Sequence, residues 1–189
     1  RLTAKEYADT ATYGKMVLDK YYDQYSPTWS EDIRYDTEYR IRDIHIQGVP
    51  VTGFIDRVDK KDHSIVVYDY KSGKTDKFRE KLKAPDDKSN GGDYWRQMVF
   101  YDLMLIQDPK YHTHMDHGWL QALEPEKDGT FKQHKVVVTT EDREIVTRQI
   151  VDTYQKIQNM EFNTGCGKCQ WCEMHGIVAI PAEAEEQGD

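Results

Sequence analysis

The sequence predicts an α/β fold in which one central mixed β-sheet is flanked by helices. Three segments between residues 37 and 71, and two more after residue 116, have the apolar patterns and flanking turn residues of strands. Segments before, between and after these groups have helical spacing. The predicted order of elements is therefore α, β-β-β, α, β-β, α, and the sequence contains no internal repeat.

The first helix is predicted over residues 3–25, TAKEYADTATYGKMVLDKYYDQY, which contain no proline. Its apolar and aromatic side chains are expected to form one buried stripe, which comprises Tyr7, Ala11, Met16, Val17, Tyr21 and Tyr22. Pro27 and the polar residues after it are expected to end the helix.

A β-hairpin is predicted in EYRIRDIHIQGVPVTGFIDRVD, where isoleucines alternate with polar residues, a turn falls at residues 48–50, and apolar residues then resume. The segment DHSIVVYDYK predicts a third strand, whose apolar run at residues 65–68 suits a central position in a sheet.

The stretch of residues 72–92 is polar and too long for a simple connection, so we expect a mobile functional loop. Asp93 is expected to cap a helix over residues 94–108, which Pro109 closes. Two strands are predicted in DHGWLQALEP and FKQHKVVVTT around the turn EKDG, and a last helix is predicted from Thr140 to about Met160.

The chain of 189 residues, 38% of them apolar, predicts one core and therefore one domain over residues 1–181. The closing AEAEEQGD, residues 182–189, is expected to be a disordered acidic tail. The chain begins at Arg1 and has no apolar run of membrane-spanning length, which indicates a piece of a larger soluble protein with no membrane partner.

The formal net charge of -8 argues against a generally basic nucleic-acid surface, but it does not exclude DNA binding, because basic residues cluster in KTDKFREKLK, residues 74–83. The three cysteines all lie within residues 166–172, which is not the pattern of a disulfide framework and favours a cytoplasmic location.

The most informative spacing lies in the second and third strands. Side chains alternate along a strand, so Asp69 and Lys71 share a face and Tyr70 faces the other way. Antiparallel pairing of the two strands can bring Asp56 opposite Asp69, and two adjacent carboxylates repel unless a cation such as Mg²⁺ neutralises them. A lysine beside such a cation could position a water molecule for hydrolysis.

The spacing alone leaves a second interpretation open, in which these acids are solvated strand ends. Asp59 and Asp62 are expected to be solvated turn residues in either case.

Three motifs in order, GFIDRVD, VVYDYKSGK and YWRQMVFYDLML, resemble the PD-(D/E)XK nucleases of the RecB/AddB type, in which G-x-x-D-R, D-Y-K-S/T-G and Q-x-x-x-Y follow one another. The resemblance covers most of the chain. The chain looks most similar to the nuclease domains found at the C-terminus of UvrD/Rep-type helicases. It implies a restriction-endonuclease-like core and a deoxyribonuclease dependent on Mg²⁺ or Mn²⁺, of exonuclease type rather than a site-specific endonuclease. A helicase domain upstream of residue 1 would feed DNA to it in recombination or repair.

The resemblance also implies roles for individual residues. Asp56, Asp69 and the carbonyl of Tyr70 would bind the metal, and Lys71 would be the catalytic lysine. Glu38 resembles an additional upstream acid of the family, although an exposed strand glutamate is an equal alternative.

The resemblance further implies roles for two residues of the predicted helix over residues 94–108 and for the arginine that follows Asp56. Gln97 and Tyr101 match Q-x-x-x-Y, which would lie beside the active site near the DNA. Tyr101 could instead be an ordinary core residue. Arg57 would support the site or contact phosphate.

One position departs from the family pattern. Many RecB-type members carry a metal-binding histidine four residues after a glycine of the first helix, and here Leu18 follows Gly14 at that spacing. An alternative function is therefore a catalytically weakened domain that acts as a DNA-binding or scaffolding module of a helicase.

The segment CGKCQWCEMH spaces Cys166, Cys169 and Cys172 as C-x2-C-x2-C, which suits zinc or an iron-sulfur cluster. AddB-type nucleases use such a group with one upstream cysteine to hold a 4Fe-4S cluster, and this chain has no upstream cysteine. Three interpretations stay open: a fourth ligand before Arg1, a zinc site completed by His175, or a metal-free remnant. A protein whose active element is this metal cluster is a further functional alternative.

Overall fold

In the computed structural model the described residues are 3–72, 75, 78–86, 89–161 and 170–174. The chain divides into two compact units, Arg1–Thr147 and Arg148–Asp189. The expectation of one domain over residues 1–181 stays a prediction, and the tail at residues 182–189 lies outside the described residues.

The predicted mixed sheet flanked by helices is confirmed. The strands are β1 (Arg34–Ile46), β2 (Val49–Lys61), β3 (Ser64–Lys71), β4 (His117–Pro125) and β5 (Phe131–Val136). They form one sheet in the order β1-β2-β3-β4-β5, in which β3 and β4 are parallel and the other neighbours are antiparallel. The helices are α1 (Ala4–Tyr25), α2 (Phe78–Lys81), α3 (Asp93–Gln107), α4 (Thr140–Gln158) and α5 (Gln170–Met174), with a 3-10 turn at Ser26–Thr28.

Helix α1 begins with a capping box. The Thr3 hydroxyl accepts from the Glu6 N–H, and the Glu6 carboxylate accepts from the Thr3 N–H at 2.8 Å. The expected buried stripe is wrong for most of the helix, since only Val17 and Tyr21 are buried. Tyr7 is 69% exposed, because the helix packs only near its C-terminal half, where the Tyr21 ring lies among aromatic rings of the sheet face.

The predicted hairpin is present, and its turn is shorter than expected. Gln47 and Gly48 have φ values of 46° and 81°, which is the left-handed pair that a two-residue hairpin turn requires. Pro50 consequently lies inside β2, where it is paired with His45.

The connection between β3 and α3 contains regular structure in its described part, and the expectation of a mobile functional loop stays a prediction. Helix α2 lies within it, and Phe78 is 1% exposed with its ring 5.4 Å from the Tyr94 ring. The Gly92 N–H donates to the Lys83 carbonyl at 2.8 Å. One buried aromatic ring therefore anchors a segment whose composition is otherwise polar.

Asp93 does not cap α3, as the sequence predicted, because the cap is Gly92 and no side chain takes part. Asp93 is instead the first helical residue and forms an ion pair with Arg96 at 3.4 Å. At the start of α4, Thr139 and Asp142 bond each other's backbone N–H groups reciprocally, which ends the preceding segment and starts the helix.

The core lies between the sheet and α3, whose buried side chains include Met98, Val99, Met104 and Leu105. The buried aliphatic residues of β1 to β3 include Ile41, Ile55, Val58, Ile65 and Val67. Within the described ranges, none of the helices combines the length and the apolar character needed to cross a bilayer.

Candidate active site

The site lies where the ladder between β2 and β3 stops. The last pair of the ladder is Arg57 with Tyr68, and the next residues do not continue it. Instead, the carboxylate of Asp56 accepts a hydrogen bond from the Tyr70 N–H at 2.8 Å. A side chain thus replaces a backbone partner, and it holds the Asp56 carboxylate beside the end of β3.

A closed ring of four polar side chains, Asp69, Lys71, Gln97 and Tyr101, lies at the end of β3; we call it the four-residue ring. The Tyr101 hydroxyl donates to Asp69 Oδ1 at 2.9 Å and accepts from Gln97 Nε2 at 2.9 Å. Lys71 Nζ donates to Gln97 Oε1 at 2.7 Å and lies 2.5 Å from Asp69 Oδ2. Each side chain therefore fixes the next.

Two simple periodicities assemble this ring. Asp69 and Lys71 are two residues apart on β3 and share a face. Gln97 and Tyr101 are four residues apart on α3 and share a helix face. The packing of α3 on the sheet brings the two pairs together, so that residues distant in sequence form one hydrogen-bonded group.

Burial is the largest influence on the pKa values of Asp69 and Tyr101 in the four-residue ring. Asp69 is 1% exposed, and burial raises the pKa of its carboxyl, which Lys71 and Tyr101 oppose and Asp56 reinforces. Burial, together with the neighbouring Asp69 carboxylate, raises the pKa of Tyr101 far above its usual value. The Tyr101 hydroxyl is therefore a donor to Asp69, and burial disfavours the ionised form of the Asp69 carboxyl.

The donor set fits a hard divalent cation. Asp69 Oδ2 is buried, and among the described residues it has no partner in good hydrogen-bond geometry, since the ammonium of Lys71 lies close but poorly aligned. The charge of Asp56 acts on the same carboxyl. Two neighbouring carboxylates with an unsatisfied oxygen suit Mg²⁺, which takes few protein ligands and keeps several waters. No group of three or more histidine, cysteine or acidic side chains converges within the described part of the chain.

Sequence reasoning missed Tyr94 and Lys81. The Lys71 and Lys81 ammonium groups lie 4.8 Å and 4.6 Å from the centroid of the Tyr94 ring, so that one aromatic side chain holds two cations beside the ring of polar groups. The i,i+3 spacing of Tyr94 and Gln97 on α3 was a usable signal, whereas the approach of Lys81 depends on the packing of α2.

Glu38 lies on β1. It is exposed, has a left-handed φ of 49°, and lies between two strand pairs that flank Asp56, namely Thr37 with Arg57 and Tyr39 with Ile55. Leu18 is 54% exposed on α1. The roles predicted for Glu38, for the Tyr70 carbonyl and for the Leu18 position stay predictions.

The expectation that Asp59 is a solvated turn residue is wrong. Asp59 lies within β2, is 7% exposed, and accepts two hydrogen bonds from Arg57, each at 2.6 Å. The Arg57 guanidinium is also packed against the rings of Tyr35 and Tyr68 at 4.7 Å and 4.5 Å. Asp62 is exposed, as expected. The buried ion pair forms because Arg57 must have a counter-charge inside the fold.

Arg57 therefore lies in a half-enclosed aromatic pocket rather than at a solvated edge, and its Nη1 is 3.4 Å from the Tyr70 hydroxyl. The two roles predicted for Arg57, support of the site or contact with phosphate, stay predictions. Cys166, Cys169 and His175 lie outside the described residues, and Cys172 is buried on α5.

Comparison with known proteins relates this geometry to a family. The family model of the PD-(D/E)XK nuclease superfamily matches residues 2–177. No curated protein matches the chain. Among solved structures, a protein named SSO0001 is similar at 17% identity and a TM-score of 0.44, over 96% of this chain and 75% of that one. A protein of Eubacterium rectale named "Putative exonuclease" is similar at 12% identity and a TM-score of 0.48, over 92% of this chain and 74% of that one.

Proposed function

The chain belongs to the PD-(D/E)XK nuclease superfamily, and from this premise we propose that it is a metal-dependent deoxyribonuclease with its active site at the four-residue ring and Asp56. Membership of the superfamily implies hydrolysis of phosphodiester bonds. The observation that carries the assignment of the site is the closed ring, in which a buried carboxylate, a lysine, an amide and a phenol fix one another's geometry.

Asp56 and Asp69 would hold the divalent cation, with the Tyr70 carbonyl as a backbone ligand. A cation held there would polarise the phosphoryl oxygen of the substrate. Lys71 is 19% exposed in its side chain, so its ammonium can reach a water molecule or a phosphate oxygen from within the ring. Gln97 and Tyr101 orient Lys71 and Asp69, and such fixed orientation lowers the barrier by avoiding reorganisation during reaction.

The finer proposal follows the resemblance of the three motifs. Exonuclease-type cleavage, coupled to a helicase during recombination or repair, is the activity that this resemblance favours. Comparing linear DNA with covalently closed circular DNA tests it, because an exonuclease cuts only the linear form.

Titration of Mg²⁺ and of Mn²⁺ with labelled single-stranded and duplex DNA tests the main proposal. We expect cleavage that requires the metal and that Asp69→Ala and Lys71→Ala each abolish. Matched controls are Asp62→Asn and Lys61→Ala, since both residues are exposed and lie outside the ring. Metal-independent cleavage, or full activity in the two ring variants, would contradict the proposal.

The second candidate is a DNA-binding or scaffolding domain with weakened catalysis, which the exposed Leu18 at the histidine position favours. Absence of cleavage, together with DNA binding at physiological salt, would favour this candidate.

A further inference from the structure

A cleft of about 460 Å³ opens beside the four-residue ring. Gln97 and Tyr101 belong to both, and the rest of the lining includes the aromatic side chains of Tyr94, Phe100 and Phe54. Its volume falls in the range of about 300–1,000 Å³ typical of ligand sites. The cleft is therefore a continuation of the candidate active site and not a separate surface feature.

Phe54 is the unusual member of this lining. It lies two residues before Asp56 on β2, and it is 54% exposed. Its cross-strand partner on β1 is Arg40, whose guanidinium lies 5.3 Å from the Phe54 ring centroid. An exposed aromatic ring and a cation thus lie side by side, close in sequence to a candidate metal ligand.

Arg40 does not line the cleft itself, whereas another arginine does. The guanidinium of Arg96 is held by the carbonyls of Asn90 and Gly91 at 2.9 Å and 3.1 Å, and its side chain is 35% exposed. Arg96 also lines the cleft. It forms an ion pair at 3.4 Å with Asp93, which lines the same cleft. The guanidinium is therefore fixed in place, and the cleft combines aromatic surface with a guanidinium group.

This combination matches the two chemical parts of a nucleotide. The face of a base stacks on an aromatic ring, and guanidinium groups bind phosphate. Bases in an intact duplex are stacked on their neighbours and present no free face, whereas an unpaired base does.

We propose that this cleft binds an unpaired base of single-stranded DNA, with Phe54 stacking on the base and Arg40 contacting a neighbouring phosphate. The inference rests on the proposed nuclease function and deepens it, because it names the side chain on which one unpaired base stacks beside the active site. Intact duplex would be a poorer substrate because a base must first leave the stack.

Single-stranded oligonucleotides that carry one abasic residue at successive positions test the inference. For the unaltered protein, kcat/KM should fall roughly 5- to 150-fold when the missing base is the one that occupies the cleft, which is the effect of losing one stacked base. Phe54→Ala should remove this position dependence, and Phe54→Tyr should restore it. Tyr7→Ala, which changes an exposed aromatic residue outside the cleft, should retain it.

Three results would overturn the inference: equal rates for all abasic positions, an unchanged position dependence in Phe54→Ala, or cleavage of blunt duplex as fast as of the single strand. The same oligonucleotides should be used in fluorescence anisotropy binding measurements with EDTA present. If the unaltered protein cleaves no DNA, the proposed function fails, while position-dependent loss of binding that disappears in Phe54→Ala would still support the cleft. Uniform binding would overturn it.

Discussion

Replacement of Asp59 by asparagine should lower the free energy of unfolding by about 3 to 5 kcal/mol, because it leaves the Arg57 guanidinium buried without its counter-charge. The side chains of Arg57 and Asp59 are only 10% and 9% exposed, and two contacts of 2.6 Å join them. The rings of Tyr35 and Tyr68 still contact the guanidinium in the variant, so the buried charge is not left without any favourable neighbour. We therefore expect a value near the lower end, about 3 kcal/mol.

The partner variant Arg57→Met should differ in its pH dependence. Without the guanidinium, burial alone acts on Asp59 and raises its pKa in the folded state above the unfolded value of about 3.9. The penalty is then smallest below the unfolded pKa, where the carboxyl is neutral in both states, and it grows as pH rises through the folded pKa. In Asp59→Asn the buried guanidinium cannot lose its proton, so that penalty should not change with pH.

Urea unfolding between pH 4.5 and 8, followed by the fluorescence of Trp29 and Trp119, which line the same pocket, measures both effects. A cost below about 1 kcal/mol for Asp59→Asn, the range of surface ion pairs, would refute the buried-pair interpretation. Equal pH dependence in the two variants would refute the argument about protonation. If Arg57 instead bound a phosphate of DNA, Arg57→Met would weaken DNA binding and reduce its salt dependence by about one counterion.

Two further predictions follow from single contacts. Tyr101→Phe should lower kcat/KM by roughly 10- to 100-fold, because it removes a hydrogen bond to a charged group. It should also shift the acid limb of the pH–rate profile to higher pH, since the Tyr101 hydroxyl lowers the pKa of Asp69. An unchanged pH–rate profile would contradict this prediction. Gly92→Ala should destabilise the protein by about 1–3 kcal/mol in thermal unfolding, because the added Cβ would lie 2.1 Å from the Lys81 carbonyl oxygen. Gly14→Ala is the control: a Cβ there would have nothing within 4 Å, so this variant should be neutral or stabilised by up to about 1 kcal/mol.

The strands were predictable because their signals are local. Alternation of apolar and polar residues, together with the glycine at Gly48, defines the hairpin without reference to the rest of the chain. The shared face of Asp69 and Lys71 follows from the same alternation. Only the family motif, however, selected Gln97 and Tyr101 from a helix with many similar polar and aromatic residues.

Features that depend on tertiary packing were not predictable from the sequence. Asp59 is an aspartate next to a predicted turn, so its sequence position suggests solvent exposure. Only the ion pair with Arg57 explains why its side chain is buried. Phe78 is one aromatic residue in a polar stretch, yet it orders the segment around α2. Conversely, α1 has enough apolar residues for a long buried stripe, and the sheet covers only the part around Tyr21. In each case the decisive quantity is the position of a partner distant in sequence.

The buried Asp69 carboxylate is expected to destabilise the metal-free protein, and a bound metal ion is expected to restore that stability. Burial raises its pKa in the folded state, so its contribution to stability is greatest below the unfolded pKa and is lost as pH rises through the folded pKa. At neutral pH, Asp69→Asn should therefore be at least as stable as the unaltered protein in EDTA. Addition of Mg²⁺ at about 100 times its Kd should stabilise the unaltered protein by about 2.7 kcal/mol and the variant far less.

Thermal unfolding of both proteins with EDTA and with Mg²⁺ separates the two parts of this argument. A variant less stable than the unaltered protein in EDTA would mean that Lys71 and Tyr101 stabilise the carboxylate by more than burial costs it. Equal stabilisation by Mg²⁺ in both proteins would place the ion elsewhere. If both expected results are obtained, the buried carboxylate is maintained for binding and not for folding, which is the relation between stability and activity expected of a catalytic group.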